Sequence, residues 1–367
     1  MMLLDNISIN RKARELGFVR DTFEKVCRLA EILDFIQKDA LLSDILALKG
    51  GTAINLTIFN NLPRLSVDID FDFAENISRE KMLAVRAQIT DRIGKKMTTA
   101  GYRLSQRSKT YHALDSFVYE YLNSGGMKDN LKIEINYMLR CHVLMPVRKR
   151  INLPWLEEEL TVLTVDPLEI YGAKIVALLN RAAPRDVYDT HTMIEQETFD
   201  ESQRSLLKKC VIFYSAIATD GVPTRFNFNQ ITTMKQVDVK RDLLPVLRRN
   251  TWFGAQQECK QIIDYLSEIL RPNKQELAFL SSFDQRNIDQ NFFFRTKISS
   301  RVLGNIRWPF GNVGTGCKLC KPRKMTEIGG FTAPTARQAF VSQWTQELVL
   351  LNRKTKPIFS CCFAYRC

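Results

Sequence analysis

Asp68, Asp70 and Asp72 alternate with Ile69, Phe71 and Phe73 in the run Ser66-Val-Asp-Ile-Asp-Phe-Asp-Phe73. A strand has period two, so the three carboxylates share one face, with Ser66 and Arg64 in line before them, while Val67, Ile69, Phe71 and Phe73 take the other. The apolar face requires a core; the acidic face requires solvent or a ligand. Carboxylates two apart on a strand lie roughly 6 to 7 Å from one another, close enough to repel and to bridge divalent cations. A pair of Mg2+ ions is the natural compensation.

Upstream, Lys49-Gly-Gly-Thr-Ala53 follows the apolar run 45–48 and precedes a helix-compatible segment, 53–59. Two glycines at a strand-to-helix turn let the backbone approach a ligand closely, with the N–H groups of the helix start turned toward an anion. The pattern is neither a Walker A loop nor the Gly-x-Gly-x-x-Gly of a dinucleotide fold.

Taken together, Lys49-Gly50-Gly51-Thr52-Ala53 and Arg64-Leu-Ser66-Val-Asp68-Ile-Asp70-Phe resemble the signature of the nucleotidyltransferase superfamily, and specifically the AbiEii-type nucleotidyltransferase toxins of toxin–antitoxin and phage-defence systems. The resemblance spans about residues 1–300. It implies an α/β (α+β) fold with a mixed sheet and flanking helices, then a helical lobe. It also calls for a third carboxylate on a later strand. In Leu131-Lys-Ile-Glu-Ile-Asn-Tyr137 the apolar residues share one face, and Lys132, Glu134 and Asn136 share the other. Glu134 supplies the missing acid; Asp72 stays ambiguous, since the family pattern ligates metal through two of the strand positions.

The second part of the resemblance is Gly-Ala-Lys174, Arg181 and Arg185-Asp186-Val-Tyr-Asp189. Carried over, Lys174 neutralises the phosphates of the nucleotide and Asp186 orients Lys174 or the substrate, with Asp189 the less favoured acid. Arg181 and Arg185 add phosphate contacts, for which the guanidinium fork is suited. The implied reaction passes a nucleotide from an NTP to a hydroxyl. Asp68 and Asp70 hold two Mg2+ ions, Glu134 completes one shell, and the Gly50-Gly51-Thr52 turn, Ser66 and Lys174 meet the triphosphate. The resemblance favours the tRNA 3′ end as acceptor and a separately encoded antitoxin as partner. Modification of a protein and non-catalytic NTP binding are the alternatives, and the oligomeric state is left open.

Composition sets the remaining bounds. The chain has 367 residues, 45% hydrophobic and 25% charged, an ordinary globular balance. No apolar run approaches the ~18 residues of a membrane helix, and residues 1–10 are too short and polar for a signal peptide, so a cytoplasmic protein is expected. Three parts are expected: a catalytic domain over 1–155, a helical domain over 156–298, and an atypical basic, cysteine-containing tail over 299–367. Residues 301–367 carry eleven Lys and Arg against two acids, so most of the net charge of +13 sits there and the body is only mildly basic. The tail has five of the nine cysteines and no histidine, which argues against zinc. It reads as poorly ordered, out-of-frame or read-through sequence.

Helices are expected over 11–44, 78–99, 166–181, 203–217, 239–247 and 255–270, with another opened by Pro184. In the third of them Asp166 caps, Pro167 takes the first helical position and Glu169 reaches back to the cap. Residues 116–122 read as a strand turning at 123–126 into a strand over 131–139. Cys27, Cys141, Cys210 and Cys259 read as reduced core residues, and Phe213, Tyr214, Phe226, Phe228, Trp252, Phe253 and 292–294 as aromatic core.

Overall fold

The computed structural model describes residues 5–138, 142–156, 158–218, 226–274 and 276–278. Two helices lead in, α1 (Asn6–Leu16) and α2 (Arg20–Lys38), where a single long helix is expected. The break is Gly17, whose left-handed φ of 78° closes α1 and sends its N–H back to the carbonyls of Ala13 and Arg14. The short α3 (Leu42–Ile45) passes directly into β1 (Leu46–Lys49).

After β1 the Gly-Gly turn starts α4 (Gly50–Ala53), which widens into a π turn over Ile54–Ile58 before the chain returns in β2 (Asp68–Phe73). Helix α5 (Arg79–Thr99) is capped by the Ser78 hydroxyl. The short β3 (Arg103–Leu104) and β4 (Lys109–Thr110) precede the hairpin of β5 (Leu114–Leu122) and β6 (Lys128–Asn136). Then come β7 (Val147–Arg150) and β8 (Thr161–Thr164).

Among the described residues these strands form one mixed sheet in the order β3-β5-β6-β2-β1-β8-β7, with β4 added beside β5. Strand β2 lies at its centre, antiparallel to β1 and parallel to β6. The carboxylate strand therefore has a hydrogen-bonded neighbour on each side. Strand β8 lies beyond residue 155, so the sheet extends past the boundary expected from composition.

The two faces of the sheet separate as period two requires. Ile69, Phe71, Leu131, Ile133, Ile135, Phe117 and Tyr119 are all buried on one face. Helices α2 and α5 cover it. Arg28 of α2 lies over the Tyr121 ring at 4.2 Å, and Arg86 of α5 grips Asp115 of β5 while lying 4.8 Å from the Tyr137 centroid. Lys49, Asp68, Asp70, Asp72 and Glu134 belong to the opposite face.

The helical part begins with α6 (Pro167–Arg181), capped by Asp166 with Pro167 at its first position, and α7 (Pro184–Glu195), opened by Pro184. Glu169 does not reach back to the cap. It is fully buried, accepting from Tyr214 Oη at 2.7 Å and from the Leu144 N–H at 3.0 Å, with His142 Nδ1 at 3.2 Å. The carboxylate thus ties α6 to α8 (Glu201–Ala218) and to the segment after β6. Burial alone would disfavour protonated His142, but Glu169 outweighs it and the imidazole pKa is raised.

Short α9 (Asn229–Thr232) and α10 (Gln236–Asp238) follow, and then α11 (Ala255–Ile269). The helix expected over 239–247 is instead a π turn, Val239–Leu243, followed by a 3-10 turn, Leu244–Val246, with Pro245 inside it. Cys27, Cys210 and Cys259 are buried free thiols, as expected. Phe213, Tyr214 and Phe253 are core, but Trp252 is 77% exposed, its indole lying over Gly254. Cys141, residues 292–294 and the whole of the expected tail lie outside the described residues.

No helix among the described residues is long and apolar enough to cross a membrane.

Candidate active site

Strand pairing sets the first half of the site. Lys49, Asp70 and Glu134 stand directly opposite one another on β1, β2 and β6, and Ser116 continues the row on β5. Asp68 lies two residues along the same face of β2, beside Lys132. The expected trio of acids is therefore on one face, with Asp70 and Glu134 in register. Lys132 Nζ lies 3.0 Å from Glu134 Oε1.

Asp70 records the crowding. Burial, then the charges of Glu134 and Asp68, push its carboxyl up to about 7, against the opposing influence of Lys49 and Lys132. An acid held near neutrality by two other carboxylates is a donor set short of positive charge, which suits a hard divalent cation with oxygen ligands. Among the described residues no three His, Cys, Asp or Glu side chains are gathered closely enough to ligate an ion as they stand. Asp72, the ambiguous member, is buried and paired with Lys49 Nζ at 2.6 Å. Its charge is already answered from within the protein.

The Gly-Gly turn sits against this row for steric reasons that sequence alone does not give. Gly50 has φ 68°, and a Cβ on it would come within 2.7 Å of Asp70 Oδ2. A Cβ on Gly51 would fall 2.6 Å from Arg64 Nη2 and 3.1 Å from Ser66 Oγ. Any side chain at either position displaces a functional neighbour. Thr52 and Ser66, expected to contact the nucleotide, are both buried. The Thr52 hydroxyl lies against Ser66 Oγ at 2.9 Å and donates to the carbonyl of Asp68, so these side chains brace the turn against β2.

The second half of the site is an ion network joining the sheet to α6 and α7. Lys174 Nζ lies 2.9 Å from Asp186 Oδ1 and 3.1 Å from Asp189 Oδ2. Arg181 Nε reaches Asp186 Oδ2 at 2.9 Å. Asp189 is gripped on both oxygens by Arg64, through Nε and Nη2, each at 2.7 Å. Arg64, Asp186 and Asp189 are buried, whereas the Lys174 and Arg181 side chains retain 12% and 33% exposure. Among the described residues two carboxylates here face three cations, and the partly open residues are both cations.

Burial opposes ionisation throughout the network, yet the partners prevail. The Asp186 carboxyl is lowered by Lys174 and Arg181, that of Asp189 by Arg64 and Lys174, and the Lys174 ammonium is raised by Asp186 and Asp189.

The expected group of Lys174, Asp186 and Arg181 is thus brought together. Arg185 is directed elsewhere, its Nε donating to the Asp242 carbonyl. Arg64 and Asp189 are full members that sequence reasoning passed over or ranked low. The available signal was the three-residue spacing of Asp186 and Asp189, which sets both acids on one side of α7. The Gly51–Arg64 contact links the network to the Asp70 row.

Residues 34–270 match the family model described as nucleotidyl transferase AbiEii toxin, type IV toxin–antitoxin system. Among solved structures the chain is similar to MenT4, a nucleotidyltransferase toxin from Mycobacterium tuberculosis H37Rv, with a TM-score of 0.54 and 16% identity. That likeness covers 75% of this chain and 92% of the other, and at such identity it speaks for the fold. No curated protein matches. The family match spans both the carboxylate row and the ion network, and the chain belongs to the AbiEii nucleotidyltransferase toxin family.

Proposed function

We propose that this nucleotidyltransferase toxin transfers a nucleotide from an NTP to the 3′ end of tRNA, with two Mg2+ ions held by Asp68, Asp70 and Glu134. The observation that carries the reading is the in-register row of Lys49, Asp70 and Glu134, in which Asp70 is pushed up to about 7 by burial, Glu134 and Asp68. Bound at these acids, Mg2+ supplies electrostatic stabilisation of the phosphates and lowers the pKa of an attacking hydroxyl.

The chain's own groups account for the rest. Gly50 and Gly51 keep the turn free of side chains above Asp70, so backbone N–H groups meet the triphosphate there. Lys174 sits at the edge of a network in which three cations face two carboxylates and steadies the charge that develops on the leaving pyrophosphate. Arg181, the more open cation, adds a phosphate contact.

The RNA acceptor draws on the basic edge of the sheet. Strand β7 closes one end of the sheet with the sequence Val-Arg-Lys-Arg. Arg148 there pairs with Asp44 at 2.7 Å, so part of this basic edge is internally neutralised. About four to six phosphate contacts would give RNA binding a slope of about −0.7 per contact in log affinity against log salt.

The test is to incubate the purified protein with each labelled NTP, Mg2+ and total tRNA. Label on the tRNA 3′ end is the expected result. Label on protein alone points to a nucleotidylating modifier, and tight NTP binding without any transfer points to a regulatory NTP-binding protein. The family implies a separately encoded antitoxin, which is expected to suppress the labelling.

A further inference from the structure

Arg64 is the largest fully buried side chain of the described residues and belongs to no part of the mechanism above. Its position before β2 gives no hint of burial. The guanidinium uses Nε and Nη2 on the two oxygens of Asp189 and Nη1 on the carbonyl of Leu65 at 2.9 Å, while Nη2 fills the space above Gly51 where a Cβ would stand. One planar group therefore touches the Gly-Gly turn, the segment that leads into the carboxylate strand and helix α7.

We propose that Arg64, acting through Asp189, is a positioning residue that aims the Lys174 ammonium at the phosphates of the substrate. Lys174 has three N–H donors, two of which are directed at Asp186 and Asp189. Fixing those two carboxylates fixes where the third donor points. Asp186 is fixed from the rim by Arg181, whose side chain is a third exposed; Asp189 is fixed from inside by the bidentate fork of Arg64. The rigid anchor is thus Arg64, and it ties the direction of Lys174 to the turn above Asp70. A lysine at position 64 would keep the charge but not the fork, since an ammonium is a point donor that does not hold both oxygens of a carboxylate in one plane.

The inference rests on the reading of Lys174 as a phosphate-binding group, and its test separates the two. The affinity of the purified protein for inorganic tripolyphosphate is measured by calorimetry in wild type, Arg64→Lys, Lys174→Met and the double variant, with thermal unfolding as the check on folding. Arg64→Lys is expected to weaken tripolyphosphate binding about tenfold, and to cause no further loss in the Lys174→Met background. Binding within twofold of wild type in folded Arg64→Lys overturns the proposal, as does an equal tenfold loss with and without Lys174. Should Arg64→Lys fail to fold, Arg64→Met with Asp189→Leu removes both charges together and leaves no buried ion unpaired. The same tenfold loss, dependent on Lys174, is expected of it. Pyrophosphate release from NTP is followed in parallel: a wild type that binds tripolyphosphate through Lys174 but releases none contradicts the proposed function while leaving the positioning role of Arg64 standing.

Discussion

Two groups of buried or half-buried carboxylates among the described residues make up the candidate site, and they are built on opposite electrostatic terms. At Asp186 and Asp189 each acid faces two cations, and both carboxyls are held below their ordinary range despite burial. At Asp68, Asp70 and Glu134 the acids outnumber the nearby lysines in their effect, and Asp70 rises to about 7. The first cluster is complete within the chain and joins sheet to helices. The second, on the proposed reading, is completed by positive charge from outside. Charge balance, rather than the mere presence of acids, separates the scaffold of this site from its reaction centre.

The largest expected contrast comes from removing one acid from each group. Asp70→Asn is expected to lower the rate of pyrophosphate release by at least about a thousandfold, roughly 4 kcal/mol, since a metal-binding oxygen is lost. Its melting temperature is expected to hold or rise, because repulsion is relieved. Asp189→Asn should behave in the opposite sense, costing about 3 to 5 kcal/mol of stability by leaving Arg64 buried without its partner, as measured by denaturant unfolding. A destabilised Asp70→Asn beside an unaffected Asp189→Asn would reverse the comparison.

Lys174→Ala sharpens it further, because this residue belongs to the satisfied cluster and is, on the proposed reading, the one that meets the phosphates. Its kcat/KM for NTP is expected to fall by ~2 to 4 kcal/mol in transition-state terms. An effect confined to unfolding would return Lys174 to a purely structural role.

The smallest effect is in pH. The folded pKa of Asp70, about 7, lies above the unfolded value near 3.9, so the folded state binds the proton more tightly. Its contribution to stability is present below about pH 4 and is lost as pH rises through about 7, on the order of 2 kcal/mol after allowance for its partial exposure. Asp186 and Asp189 contribute with the other sign, being lowered, and their contribution is lost only in acid. In metal-free buffer the wild type is therefore expected to lose stability between pH 5 and pH 8 by more than Asp70→Asn does. Equal pH slopes for the two proteins would remove Asp70 from the account.

Much of the carboxylate row of β2 and β6 was legible in the sequence because it depends on local periodicity. Two alternations of period two, in β2 and β6, put the acids on one face, and the parallel pairing of those strands then set Asp70 beside Glu134. Period two also placed Asp72 on that face, but only the antiparallel register of β1 brings Lys49 within reach of it. The Gly-Gly turn was visible as a turn. Its reasons were not: the room it makes for Asp70 and Arg64 comes from tertiary packing. Arg64 read as in line with the acids ahead of the strand and was given no role of its own, because its partner lies 125 residues away on α7. Arg185 and Trp252 show the converse. The family resemblance implied a phosphate ligand at Arg185 and composition a core aromatic at Trp252; a carbonyl after α10 accepts from the arginine's Nε, and the loop before α11 leaves the indole in solvent.

The central claim, that Asp70 sits in a centre completed by a cation, is tested most directly by thermal unfolding at pH 8 with and without Mg2+. A ligand that binds the folded state adds stability of RT ln(1 + [L]/Kd). The account predicts a saturable rise in melting temperature for wild type and for Asp189→Asn, and none for Asp70→Asn. A wild type indifferent to Mg2+, or an Asp70→Asn variant that responds as wild type does, would contradict it.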